Sequence, residues 1–314
     1  MSKVVALAGG VGGAKLAHGL ALAGADLTVV VNTGDDFRPM GLHVSPDIDT
    51  VVYTLSGLAN RAQGWGIEGE TWSFMEQVSR LGGPTWFNLG DRDLAMHVLR
   101  TQRLAAGETL TAITGDFAAR LGIASRILPM CDEAVATMVR TPDGELPFQD
   151  YFVRLRCAVT VEGFRFAGID NARASDEVVA ALADPDLSAV IVCPSNPFVS
   201  VDPILSVPGL RAAIPKSRPI VAVSPIIAGQ AVKGPAAAML RDLGFDVSAL
   251  GVARHYAGWI GGLVVDTRDE ALAASIEALG MKVLLTDTLM KTDSDRERLA
   301  RETLAFAERL GGAP

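Results

Sequence analysis

Short apolar runs closed by glycine or proline alternate along this chain with stretches whose apolar positions recur at helical spacing. The first run, residues 4–8 (Val-Val-Ala-Leu-Ala), has no polar face and predicts a parallel strand buried on both sides. Residues 14–22 follow with helical spacing, Gly24 ends that helix, and residues 27–31 (Leu-Thr-Val-Val-Val) predict a second buried strand. Such a βαβ opening is the start of a doubly wound sheet. The same grammar returns at residues 189–193, 219–223, 246–250 and 282–285, with helical stretches between most of them. Between the two halves, helical periodicity at 71–81 and 94–105 and a β-like segment around 148–166 predict a smaller unit. The expected fold is α/β: a Rossmann-like, doubly wound, mostly parallel sheet built from residues 1–56 and 185–314. Residues 57–184 are expected as an inserted lobe of helices and strands.

Composition narrows the function classes. The 314 residues are 49% hydrophobic and 20% charged, which suits a packed globular protein. Net charge is −8, and no stripe of lysine or arginine with interleaved aromatics is visible, so nucleic acid is not an expected partner. The apolar N-terminal run is too short for a signal-peptide core, and no segment has the apolar length of a membrane span. Cys131, Cys157 and Cys193 are scattered and odd in number, which points to a reducing compartment without disulfides or a zinc knuckle. A cytoplasmic protein with a small-molecule ligand is expected.

The strongest chemical signal is Gly9-Gly10-Val11-Gly12-Gly13-Ala14-Lys15, which leaves the first strand and enters the first helix. Glycines let a ligand approach the backbone, and a helix N-terminus offers free amides and a positive dipole end. That combination holds phosphate. The dinucleotide fingerprint would need glycine where Lys15 stands, and a Walker A loop would need glycine at Ala14 and Ser or Thr at Leu16. The turn fits neither. Asn32 directly after the second strand also replaces the acidic ribose-binding residue expected of a nicotinamide dehydrogenase.

Carboxylates follow. Asn32-Thr33-Gly34-Asp35-Asp36 emerges on the same sheet edge as the glycine turn, and Ser45-Pro46-Asp47-Ile48-Asp49-Thr50 opens a helix with Ser45 as N-cap and Pro46 at its first position. Asp47 and Asp49 have two readings: acids that suit the helix dipole, or, with Asp35 and Asp36, oxygen ligands for magnesium beside a phosphate. Asp93 and His97 lie four apart on a helix, which for a lone pair favours local pairing over a metal site. Cys193-Pro194-Ser195-Asn196-Pro197, Val223-Ser224-Pro225 and Lys233-Gly234-Pro235 are rigid loops, each taken singly more structural than functional. His18, His43 and His255 have no triad partner, and no nucleophile elbow is present, so covalent catalysis has no support.

These segments, together with Leu-Gly-Asp-Arg-Asp-Leu-Ala-Met-His (89–97), Leu-Pro-Met-Cys-Asp (128–132), Phe-Gln-Asp-Tyr-Phe-Val-Arg (148–154) and Lys-Gly-Pro-Ala (233–236), stand in a fixed order over nearly the whole chain. The set resembles the 2-phospho-L-lactate transferase family of coenzyme F-420 biosynthesis. The resemblance implies a magnesium-dependent phosphotransferase. It would move a phospho-three-carbon-acid group from a guanosine-diphosphate-linked donor to the ribityl hydroxyl of the deazaflavin Fo, releasing GMP. It further implies that Gly10, Val11, Gly12, Gly13 and Lys15 hold the donor diphosphate, and that Ser195, Asn196 and Ser224 line the guanosine side. Asp35, Asp36, Asp47 and Asp49 would hold the metal. Asp47 and Asp49 would be catalytic, with Asp49 orienting or deprotonating the acceptor hydroxyl, and Asp49 and Asn88 would contact Fo. Asn88 departs from a lysine expected there in archaeal relatives. A homodimer is the family-level expectation. The alternative is a related family of regulatory proteins that bind nucleotide sugars without transferring anything. Those lack the Ser-Pro-Asp-Ile-Asp-Thr and Gly-Asp-Arg-Asp segments present in this chain.

Overall fold

The computed structural model describes residues 2–312. In chain order its strands are β1 (Lys3–Ala8), β2 (Asp26–Val31), β3 (Arg126–Pro129), β4 (Ala136–Thr141), β5 (Gly144–Pro147) and β6 (Gly163–Ala167). They continue with β7 (Leu187–Val192), β8 (Ile220–Val223), the short β9 (Ile226–Ile227) and β10 (Gln230–Ala231), β11 (Gly262–Asp266) and β12 (Lys282–Thr286). Seven pair in the order β12-β11-β8-β7-β1-β2-β3, every neighbouring pair parallel.

The apolar runs read as buried because both faces of the sheet are covered. Val5 and Leu7 of β1 enter one core with Val190 and Val192 of β7, while Val4, Ala6 and Ala8 enter the opposite core with Val29, Val31 and Ile191. Alternate side chains of one strand thus serve two layers, and no polar position is left to break the run. Helix α1 (Gly10–Leu22) returns from β1 to β2 and packs against the C-terminal helix Asp293–Gly311.

Two departures from the sequence reading concern strands. Residues 246–250 are not a strand. Ser248 instead caps the helix Ala249–Tyr256, its hydroxyl accepting from the Gly251 amide at 3.1 Å. Strands β3 and β11 of the main sheet went unread, as did β4, β5 and the short β9 and β10. Of the β-like segment around 148–166 only residues 163–166 are strand, Asp150–Arg154 forming a helical turn. The edge strand β3 lies within the span assigned to the inserted lobe yet pairs with β2, so residues 57–184 do not form a wholly separate unit. The antiparallel sheet β5-β4-β6 does stand apart from the main one.

Two motifs are explained by capping. Asp91 accepts from the Ser73 and Phe74 amides, two otherwise unpaired donors in the first turn of α3 (Ser73–Arg80). Asp132 accepts from the Thr111 amide, at 2.7 Å, at the start of a helix, Leu110–Arg120.

Candidate functional site

The chain winds outward in opposite directions from β1 and β7, which makes their junction the topological switch point where ligands bind in such sheets. A cavity of about 510 Å³ opens there, within the usual range for a ligand pocket. Gly9, Gly10, Val11 and Gly12 from the turn after β1 form its floor with Pro194, Ser195 and Asn196 from the loop after β7.

The two loops are fitted to each other at close range. The Gly9 amide donates to Ser195 Oγ at 3.0 Å, and that hydroxyl donates back to the Gly9 carbonyl at 2.8 Å. A Cβ at Gly12 would stand 2.2 Å from the Pro194 carbonyl oxygen. Glycine at 12 is therefore a packing requirement as well as a ligand-approach feature. Ser195 has no free capacity beyond one lone pair, so its part is to hold the glycine turn.

Two of the four expected metal ligands face the cavity, Asp35 and Asp47. Asp47 accepts from the Gly10 amide at 2.7 Å and from Asn32 Nδ2 at 2.9 Å. Burial pushes its pKa up to about 6, against the pull of those two donors and with the charges of Asp36 and Asp49 adding to the rise. Asp35 is pushed well above the carboxylate range, first by burial and then by the negative charge of Asp47. One of its oxygens is buried without a partner. A pair of buried, mutually repelling carboxylates with an unsatisfied oxygen fits a divalent cation.

The other two aspartates expected as metal ligands do not line the cavity. Asp36 takes hydrogen bonds from Ser45 Oγ at 2.7 Å and faces His43 Nε2 at 3.0 Å. Ser45 is thereby engaged with Asp36 and does not cap its helix α2 (Pro46–Leu55) with its side chain. Asp49 forms a bidentate ion pair with Arg100, both side chains buried. His97 lies between Asp49 and Asp93, 3.7 Å from each, and Tyr53 donates to Asp93. Asp47 and Asp49 sit two apart on α2, and residues so spaced point to different faces. Asp47, not Asp49, is the carboxylate of this helix that meets the cavity. Thr50, one turn on, shares its face. Among the described residues, no three His, Cys, Asp or Glu side chains form a metal-holding group, so a cation at Asp35 and Asp47 would draw further ligands from substrate phosphate and water.

Three more residues expected at the donor lie outside the cavity lining. Lys15 lies beyond the first turn of α1, past its free amides, and its ammonium donates to the Met290 carbonyl at 3.1 Å. Gly13 packs under Ser195, where a Cβ would stand 2.6 Å from Oγ. Ser224 closes on itself, accepting from the Ile226 amide and donating to the Ile226 carbonyl. None of the three lines the cavity. Asn196 does line it, while its Oδ1 accepts from the Phe198 amide at 3.0 Å.

Asn88 faces the cavity with a set of aromatics that the sequence reading did not assemble: Trp65, Trp86, Phe87 and Phe152. Trp86 and Phe87 meet edge to face at 5.8 Å, and Phe152 stacks on Phe148 at 5.4 Å. Gln149, buried, donates to the Asp35 carbonyl at 3.2 Å and so ties this wall to the acidic pair. The aromatic signal was present in the sequence, but its members come from three separate segments.

The fold and this cleft define a Rossmann-like α/β protein with a glycine turn, an acidic pair and an aromatic wall at one switch point. A family model, 2-phospho-L-lactate transferase CofD, matches residues 4–305. The chain belongs to that family, a family of transferases in coenzyme F-420 biosynthesis. A phosphoenolpyruvate transferase of Kitasatospora aureofaciens is 42% identical over 98% of both chains. A 2-phospho-L-lactate transferase of Methanosarcina acetivorans is 39% identical over 94% of this chain and 96% of its own. Among solved structures, a Bacillus halodurans protein superposes with a TM-score of 0.66 at 15% identity, covering 96% of this chain and 99% of that one, which is a likeness of fold.

Proposed function

We propose that this chain transfers a phospho-three-carbon-acid group (2-phospholactate, phosphoenolpyruvate or a relative) from a guanosine-diphosphate-linked donor to the ribityl hydroxyl of Fo, releasing GMP. The observation that carries this reading is the convergence on one cavity of three things such a reaction needs. The free amides of the glycine turn suit a diphosphate. Asp35 and Asp47 suit magnesium, which when bound neutralises charge on the transferring and leaving phosphates. Trp65, Trp86, Phe87 and Phe152 suit a flat ring system such as a deazaflavin.

Phosphoryl transfer asks for positioning and charge neutralisation more than for a covalent nucleophile. In this reading the turn Gly10 to Gly12 holds the donor diphosphate through the Val11 and Gly12 amides, the Gly10 amide being engaged by Asp47. Ser195 fixes the turn through Gly9. Thr50 and Asn88, both on the cavity wall, orient the acceptor hydroxyl. Asp49 contributes by fixing Arg100 and α2 rather than by touching substrate. Relatives named for phosphoenolpyruvate and for 2-phospho-L-lactate are similarly close, so both acids belong in the assay. A cytoplasmic homodimer remains the family-level proposal. Among the described residues no helix is long and apolar enough to cross a membrane.

The test is incubation of the full chain with Fo, magnesium chloride and each guanylylated donor, followed by mass spectrometry. GMP and a new deazaflavin phosphodiester are expected. No product with any donor, alongside tight binding of nucleotide sugars, would overturn the reading in favour of a regulatory binding protein.

A further inference from the structure

Two loops meet across the mouth of the cavity. One carries Gly64 and Trp65, the other Lys233, Gly234 and Pro235, and all five residues line it. The Lys233 ammonium donates to the Gly64 carbonyl at 3.0 Å and to the Gln63 carbonyl at 3.3 Å. Among the described residues that line the cavity, Lys233 is the single cation. The contact is built for a close approach: a Cβ at Gly64 would lie 2.0 Å from the Lys233 nitrogen, and Gly64 has φ +75°, a conformation that favours glycine.

An ammonium has three donor hydrogens. Two are engaged by the facing carbonyls, and no carboxylate pairs with Lys233 among the described residues. Crowding by the facing loop desolvates the ammonium and lowers its pKa, so an anion beside it would be welcome. Carbonyl partners alone leave its full charge uncompensated.

Resting on the proposed function, we infer that Lys233 is an anion-contacting latch: its third hydrogen binds a phosphate oxygen of the donor while the other two hold residues 60–66 over the cavity. Donor binding then tightens the loop that carries Trp65, and the diphosphate helps to complete the acceptor's aromatic wall. This assigns the Lys233-Gly234-Pro235 segment a part in substrate ordering, with the donor entering before Fo.

Hydrogen exchange and calorimetry on the full chain test it, with GDP and inorganic pyrophosphate as probes, each with magnesium. GDP is expected to slow amide exchange across 60–66 in the wild type. Lys233→Gln is expected to lose that protection and to bind GDP about tenfold more weakly, the loss of one charge-assisted hydrogen bond. Lys233→Arg should keep most of both. Gly64→Ala, which keeps the charge but displaces the ammonium, should lose the protection with a smaller loss of affinity. In turnover, Lys233→Gln should raise the donor KM more than it lowers kcat. Lys233→Gln with wild-type GDP affinity, or with wild-type protection of 60–66, would overturn the latch while leaving the transferase reading intact. Pyrophosphate protecting 60–66 through Lys233 where GDP does not bind would support the latch and sink the guanosine donor. Neither probe binding would overturn both.

Discussion

The Gly10 amide donates to Asp47 at 2.7 Å, so a carboxylate of α2 occupies the first free donor of α1, where a ligand phosphate would be expected to sit. That amide has one hydrogen, so a phosphate at the turn would use the next amides, and a cation between it and Asp47 would relieve their repulsion. Asp47→Ala is expected to keep the fold and to lower turnover at least about a hundredfold, in the range seen when one preorganised charge-stabilising group is lost. A magnesium titration by calorimetry, run on both proteins, checks the cause: the variant should bind the ion more weakly. Wild-type magnesium affinity with lost turnover would move Asp47 from cation holding to acceptor positioning.

Asp35 gives a pH prediction. Its folded-state pKa is raised above the ordinary carboxylate value of 3.8, by burial first and by the charge of Asp47 second. The protonated acid is the form the fold prefers, so its favourable contribution is full below 3.8 and is lost as pH climbs through the raised value. Without magnesium, Asp35→Asn should melt above the wild type at pH 8, and the gap should close toward pH 4. Added magnesium should raise the wild-type melting temperature and not that of the variant.

The Asp49–Arg100 pair is buried on both sides. Removing one partner of such a pair costs about 3–5 kcal/mol, because a charge is left uncompensated. Asp49→Ala is therefore expected to lower the urea midpoint by a corresponding amount. The resemblance implied instead that Asp49 orients or deprotonates the acceptor hydroxyl. A variant at Asp49 with unchanged stability and no turnover would restore that earlier role.

Gly12→Ala forces a Cβ against the Pro194 carbonyl, a clash that neither loop can relieve without moving. A stability loss of about 1–3 kcal/mol is expected, as for other overpacked sites. Because the clash lies between the loops after β1 and β7, GDP affinity should fall with it. Calorimetry and thermal melting on one preparation check both.

Trp86→Ala should raise the KM for Fo with little change in donor affinity, since in the proposed reading the aromatic wall takes the acceptor and the glycine turn the donor. A larger effect on GDP binding than on Fo would show that the nucleobase, not the deazaflavin, uses this wall.

Much of the fold was legible because burial on both faces leaves its mark in one dimension. A strand such as β1 feeds two cores, so its run is unbroken and closed by glycine. The strand β3, Arg-Ile-Leu-Pro, went unread because an edge strand this short carries no period. Residues 246–250 misled because Val247 and Leu250 also pack on the core, from a turn and a helix start instead of a strand.

The amino-acid sequence by itself determined the glycine turn into α1, the parallel sheet and the family, since each depends on residue types in a fixed local order. Only the tertiary structure decided which side chains share the site. Asp35, the α2 pair Asp47 and Thr50, Asn88 and Phe152 come from four separate segments, and the cavity exists only once the loops after β1, β2 and β7 meet. The division between Asp47 and Asp49 shows the reason. Both are acids in the same helical turn, but helical rotation sends one toward the glycine amide and the other toward Arg100. Neither partner is near them in the sequence.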